Sequence, residues 1–137
     1  MHIEQIRPEL TWRLRREVLY PDEHLSAMQM EEDKHGYHFG AFSNDELVGV
    51  VSLFQNLNDW QFRKFAVSSS VQKQGIGTQL LKFITTFVEI EKGVRIWCNA
   101  RLTATDFYAR FGFIKTGGVF HKKGFDYIIM EKNLPLK

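Results

Sequence analysis

Apolar residues recur along this chain with two different periods, and the points where the period changes divide it into elements. Residues 2–6 read as a short strand. Pro8 suits the first turn of a helix, and beyond it Leu10, Leu14 and Val18 recur every fourth residue until Tyr20 and Pro21 end the pattern. Asp22 is placed to cap a second, shorter helix running to about Lys34, with Leu25 and Met28 on its buried side. Stretches 37–42, 47–54 and 61–67 are rich in β-formers and are separated by turn-formers at 43–46 and 56–59, so they make an antiparallel meander. A helical stripe of Ile76, Leu80, Ile84, Phe87 and Val88 then covers 75 to about 91, and Gly93 marks its stop.

Residues 94–98 form a buried-type strand, which makes 62–98 a strand, crossover helix and strand, expected to be parallel and right-handed. A short helix over 104–111 and closing strands over 112–115 and 125–131 complete the chain. The expected fold is α/β with a mixed sheet, antiparallel at its start and parallel at its centre. No repeat, linker or low-complexity segment interrupts it, so one domain is expected over 1–137.

Composition narrows the function. A chain of 137 residues, 44% hydrophobic, suits one compact core and leaves no room for a second catalytic domain. Eighteen basic against sixteen acidic residues leave a net charge of +2, too little to indicate nucleic acid. The single cysteine, Cys98, excludes an intrachain disulfide and a cysteine-based zinc cluster, so no metal is expected. No run of about 18 apolar residues appears, and the N-terminus lacks a signal-type apolar region. The expectation is a cytoplasmic protein away from membranes.

The most informative stretch is 67–78, where an apolar strand passes through a polar loop, Gln72, Lys73 and Gln74, into a helix opened by Gly75, Ile76, Gly77 and Thr78. The first N–H groups of a helix have no intrahelical partner, and the helix dipole adds positive potential there, so a phosphate suits the place. Two glycines without Cβ allow close approach, and Thr78 can add a hydroxyl donor. A turn that merely needs glycine explains the pair equally well. The third glycine of a dinucleotide fingerprint and the Gly-Lys-Ser/Thr of a nucleotide loop are both missing.

A second constellation breaks the tie. Gln72-x-x-Gly75-x-Gly77 after a strand ending in Val67, followed by Asn99 and by Phe107-Tyr108-x-Arg110-x-Gly112-Phe113, resembles the GNAT superfamily of N-acetyltransferases. The core motifs cover roughly 61–113, and Lys73 departs from the pattern where the family often has a further glycine. The resemblance implies acetyl-CoA as cosubstrate, lying where the strands ending at Val67 and Cys98 splay apart. Main-chain groups of Phe65, Ala66 and Val67 would pair with the pantetheine amides. Gln72, Lys73, Gln74, Gly75, Ile76, Gly77 and Thr78 would hold the pyrophosphate, with Arg110 nearby, and Asn99 would bond the pantetheine arm. Tyr108 would act as general acid toward the departing thiolate. Outside this motif, a packed aromatic is the simpler reading of Tyr108.

An alkyl ammonium with a pKa of about 10.4 also needs a base before it can attack. Glu31, Glu32, Asp33 and His38 are the candidates, against the plainer readings of a solvated acidic face, a packed histidine and a water relay. Arg13, Arg15 and Arg16 read as solvated helix arginines, and Cys98 as buried filler. The function expected is acetyl transfer to a primary amine, on a small molecule or a protein, by direct attack. The alternative is a non-catalytic acyl-CoA sensor of the same fold. A homodimer through the apolar final strand stays open.

Overall fold

The computed structural model describes residues 1–135. They form seven strands, β1 (His2–Ile6), β2 (Tyr37–Ser43), β3 (Glu46–Asn56), β4 (Asp59–Val67), β5 (Arg95–Arg101), β6 (Ile114–Lys122) and β7 (Phe125–Asn133), in hydrogen-bonded order β1-β2-β3-β4-β5-β7-β6. The helices are α1 (Trp12–Leu14), α2 (Ile76–Ile90) and α3 (Thr105–Ala109), joined by short 3₁₀ turns. The expected mixed sheet is present. The chain divides into two compact units, one of Met1–Phe54 with Phe62–Phe87, the other of Gln55–Gln61 with the chain from Val88 onward.

In the first unit, β1 pairs antiparallel with β2, and β2 with β3. Helix α2 seats its apolar stripe on these strands, with Phe39 5.2 Å from Phe83 and 5.1 Å from Phe87, ring centre to ring centre. The helix comes so close at Gly49 that a Cβ there would lie 2.9 Å from a Leu80 methyl, so a larger residue would have to displace Leu80. Leu80, Leu81 and Ile84 are fully buried, and each such side chain contributes about 1.5–3 kcal/mol relative to exposure. A second cluster joins Leu14 to Val50 and Ala66, with Ile6, Val18, Leu19 and Leu47 around it.

In the second unit, β5 pairs antiparallel with β7, and β7 with β6. The opening residues of β4 run parallel to β5, Asp59↔Arg95, Trp60↔Ile96 and Gln61↔Trp97, so Phe62–Val67 and Cys98–Arg101 lie beyond the paired stretch. Ile96, Cys98, Ala100, Ile128 and Met130 form the buried face of this sheet.

Several sequence expectations are corrected. The first helix is not continuous: a 3₁₀ turn (Pro8–Thr11) leads into α1, and then into a widened π-type turn (Arg15–Leu19). Leu10 is 41% exposed, while Thr11, Leu14 and Arg15 face inward. The second helix is replaced by two 3₁₀ turns, Leu25–Met28 and Glu31–His35. Arg15 is not a solvated arginine; it is fully buried. Gly93 follows the left-handed stop of α2, which is Lys92 at φ +64°, and a Cβ at Gly93 would strike Val88 and Trp60. Strands β5 and β6 run further than the apolar pattern marks, because their added residues, many of them polar, are held by pairing to β7.

Candidate active site

The loop before α2 has the backbone that its glycines suggest. Lys73 and Gly75 both sit in the left-handed region, φ +68° and +83°, and a Cβ on Gly75 would meet nothing within 4 Å. The first helical bond runs from the Gln79 N–H to the Gly75 carbonyl. The N–H groups of Gly75, Ile76, Gly77 and Thr78 are therefore the four that a helix start leaves without helical partners. Residues 72–75 are exposed. The Gln72 side chain folds back and donates from Nε2 to the Val67 carbonyl at 3.0 Å, which ties the loop to the end of β4.

Strand β4 carries a feature the sequence did not announce. Lys64 takes φ +56° in mid-strand, just beyond the segment paired with β5, and its Nζ donates to the Tyr20 hydroxyl at 2.9 Å. A lysine in this conformation breaks the regular extended course of the strand. Phe65 and Val67 are half-buried and Ala66 is buried.

The proposed acceptor-side carboxylates separate into two kinds. Asp33 is 5% exposed and takes both guanidinium arms of Arg15, Nη1 on Oδ2 at 2.8 Å and Nη2 on Oδ1 at 3.0 Å, while the Met30 N–H donates to Oδ2 at 3.0 Å. Burial pushes its pKa up, but the Arg15 bonds, the Met30 N–H and the nearby charges outweigh that and hold it below the usual carboxylate value. Arg15 also donates to the Met28 carbonyl and the Ser52 hydroxyl, each at 3.0 Å. His38 completes the network with Nε2 2.8 Å from the Asp33 carbonyl and Nδ1 2.7 Å from Ser52 Oγ. A carbonyl only accepts, so Nε2 carries the proton and Nδ1 accepts from Ser52 in the neutral ring. Of the candidate bases, Asp33 and His38 thus direct their side chains into this buried network. Glu31 and Glu32 are exposed, and Glu32 accepts from Arg63 at 2.8 Å. Polar residues at inward positions, His38 and Ser52, were the sequence signal for this network, but Arg15 flanks the Leu10-Leu14-Val18 stripe and gave none.

In the second unit, Tyr108 on α3 is 9% exposed, its ring 5.2 Å from Phe107 and 6.0 Å from Phe113. The N–H groups of Phe111 and Phe113 both bond its carbonyl, so the turn after α3 closes around it. Burial and the proximity of Cys98 push the phenol well above its ordinary range, against a smaller opposing effect of Arg101. The phenol is therefore a proton-bearing group at any working pH. Cys98 is buried, and desolvation raises its thiol to about 12, so it is no thiolate nucleophile. Asn99 is exposed on β5, and Arg110 is exposed after α3, 5.8 Å from the Phe107 ring centre. Among the described residues no cluster of His, Cys, Asp or Glu could hold a metal ion, and no helix is long and apolar enough to cross a membrane.

A seven-stranded mixed sheet with a few helices places this chain among the α/β proteins. The family model described as an acetyltransferase (GNAT) domain matches residues 9–134, and the chain belongs to that family. It is 26% identical to the uncharacterized N-acetyltransferase YitI of Bacillus subtilis (strain 168), over 98% of this chain and 97% of that protein. Among solved structures it resembles the ribosomal-protein-S18-alanine N-acetyltransferase of Escherichia coli, with 17% identity, TM-score 0.82 and coverage of 99% and 95% of the two chains. It also resembles an aminoglycoside 6'-N-acetyltransferase complexed with coenzyme A, with 21% identity, TM-score 0.80 and coverage of 100% and 99%. One of these two acts on a protein and the other on an aminoglycoside, so the shared fold leaves the acceptor open.

Proposed function

We propose that this chain transfers the acetyl group of acetyl-CoA directly to a primary amine, with Tyr108 as the general acid. The observation that carries this reading is the acetyltransferase (GNAT) domain match over residues 9–134, with Tyr108 buried on α3 shortly after β5. The loop residues Gln72, Lys73, Gln74, Gly75, Ile76, Gly77 and Thr78 fit a pyrophosphate, because their backbone offers N–H donors and the space over Gly75 is open. Phe65, Ala66 and Val67, with Asn99, suit the pantetheine arm, and Arg110 adds charge. The cytoplasm, where acetyl-CoA is made and used, is the natural setting.

In the reaction, the amine nitrogen attacks the thioester carbonyl carbon and a C–N bond forms. Collapse of the tetrahedral intermediate breaks the C–S bond, and sulfur leaves with the electron pair. The Tyr108 hydroxyl donates its proton to that sulfur. A raised phenol is a weaker acid, but the same dry surroundings disfavour a thiolate, so the mismatch between the two groups narrows. The amine's proton passes to Glu31, Glu32 or water. Cys98, protonated and buried, has no part in an acyl-enzyme route.

The test is thiol release from acetyl-CoA across a panel of primary amines, alongside calorimetry of acetyl-CoA binding. Turnover with some amine, removed by Tyr108→Phe while binding persists, is expected. Binding without turnover on any amine would point to a sensor, and neither binding nor turnover would end the proposal.

A further inference from the structure

Strands β5 and β7 of the second unit have one buried face and one that is not, and β6 beside them buries no residue fully. Cross-strand pairing places Arg101 opposite Tyr127 and Tyr127 opposite Phe120, so the three side chains form a row on one face. Trp97 and Asn99 precede Arg101 on the same face of β5, and Phe125 lies beside the row on β7. None of these six is buried, whereas Ile96, Cys98, Ala100, Ile128 and Met130 on the opposite face are. The row is ordered by its own contacts. The Arg101 guanidinium lies 3.8 Å from the Phe125 ring centre, and the Phe120 and Tyr127 rings stack at 5.6 Å with 20° between their planes.

Charge at this end of the sheet is basic. Arg101, Lys122 and Lys123 stand there against one hairpin carboxylate, Asp126, which the His121 ring already contacts at 2.9 Å. A polycationic amine meets repulsion on such a surface, and an amine with an anionic group meets attraction. A guanidinium lying over an aromatic ring also has a planar fork that suits a carboxylate or phosphate. The position matters for the reaction because Arg101 lies two residues beyond Asn99 on the same face, and the strand it ends leads within one turn into α3, which carries Tyr108.

We propose that the Arg101-Phe125-Tyr127-Phe120 surface is the acceptor subsite, and that it selects an amine carrying an anionic group next to a planar or apolar part. This rests on the acetyl-transfer reading above. The shared chemistry is the anion, a carboxylate or a phosphate, which the aromatic row accompanies with stacking area. Arg101 is the specificity-determining residue.

The experiment measures kcat/KM by thiol release for phenylalanine, phenylalanine amide, phosphoethanolamine and spermidine, with acetyl-CoA saturating. Phenylalanine or phosphoethanolamine is expected to exceed the amide and spermidine by about tenfold or more, the worth of one charge-assisted bond, and the better of the two identifies the anion. Arg101→Gln is expected to bring that ratio toward one through KM for the anionic amine, with the KM for acetyl-CoA held. Arg101→Lys, which keeps the charge and loses the planar fork, should restore part of the ratio. Lys115→Gln removes equal charge from an exposed position off this face and should leave the ratio intact. Preference for spermidine, or a ratio that Arg101→Gln does not move, overturns the subsite while leaving acetyl transfer standing. Thiol release with no amine on either this panel or the broad one removes both readings.

Discussion

Arg15 and Asp33 form a two-armed ion pair at 2.8 and 3.0 Å, with the arginine side chain fully buried and the aspartate nearly so. The pair joins the helical segment 8–19 to the turn Glu31–His35, and Ser52 and His38 extend it onto β3 and β2. Arg15 also bonds the Met28 carbonyl, so it holds a group from each of the turns Leu25–Met28 and Glu31–His35.

Removing one partner should therefore cost more than removing both. Asp33→Ala strands a buried guanidinium, and the expected loss is about 3–5 kcal/mol in urea unfolding. Combining Arg15→Met with Asp33→Leu should recover most of that loss, since a packed apolar pair has no charge to desolvate. A double variant as unstable as the worse single variant would contradict this account.

The same pair sets a pH dependence. The folded-state pKa of Asp33 is depressed, so its contribution is fully present above the unfolded value of about 3.9 and is lost as pH falls through the folded value. Between pH 7 and 5 this group should add no slope to stability. Below about pH 4 the native protein should lose stability more steeply than Asp33→Asn, as followed by urea unfolding at each pH.

For Tyr108, removal of the hydroxyl should lower kcat by roughly 10²-fold or more, the usual scale of a lost general acid. Acetyl-CoA affinity should hold, because the ring remains. Since the phenol is pushed upward from about 10, no basic limb from its ionisation should appear in the kcat profile below that pH. A limb between pH 8 and 10 that vanishes in Tyr108→Phe would show the group to be far less shielded.

Gly75 separates backbone strain from packing. Its Cβ would meet nothing, but φ +83° is unfavourable for any other residue by about 1–2 kcal/mol. Gly75→Ala should lower stability by that amount or relax the loop, and in either case weaken acetyl-CoA binding by calorimetry. Gly49→Ala should leave the loop conformation alone and instead destabilise the α2 contact, where Leu80 would be 2.9 Å from the new Cβ.

The sequence by itself determined the order of strands, the meander, helix α2 and the glycine-opened loop before it, because these rest on local quantities: the period of apolar residues, turn formers, and glycines before a helix. Tyr108 stood out only through the family motif around it, since the residues alone read as a packed aromatic, and its burial is a property of the fold. Tertiary structure decided the rest. Whether Arg15 is solvated or paired depends on Asp33, Ser52 and Met28, between 13 and 37 residues away along the chain, and no local pattern encodes such a meeting. The bend at Lys64 likewise places a residue with no glycine-like preference in a left-handed conformation, held by contacts to Tyr20. Periodicity reports which face an element must bury, while the partners of a buried charge come only from the fold that assembles around it.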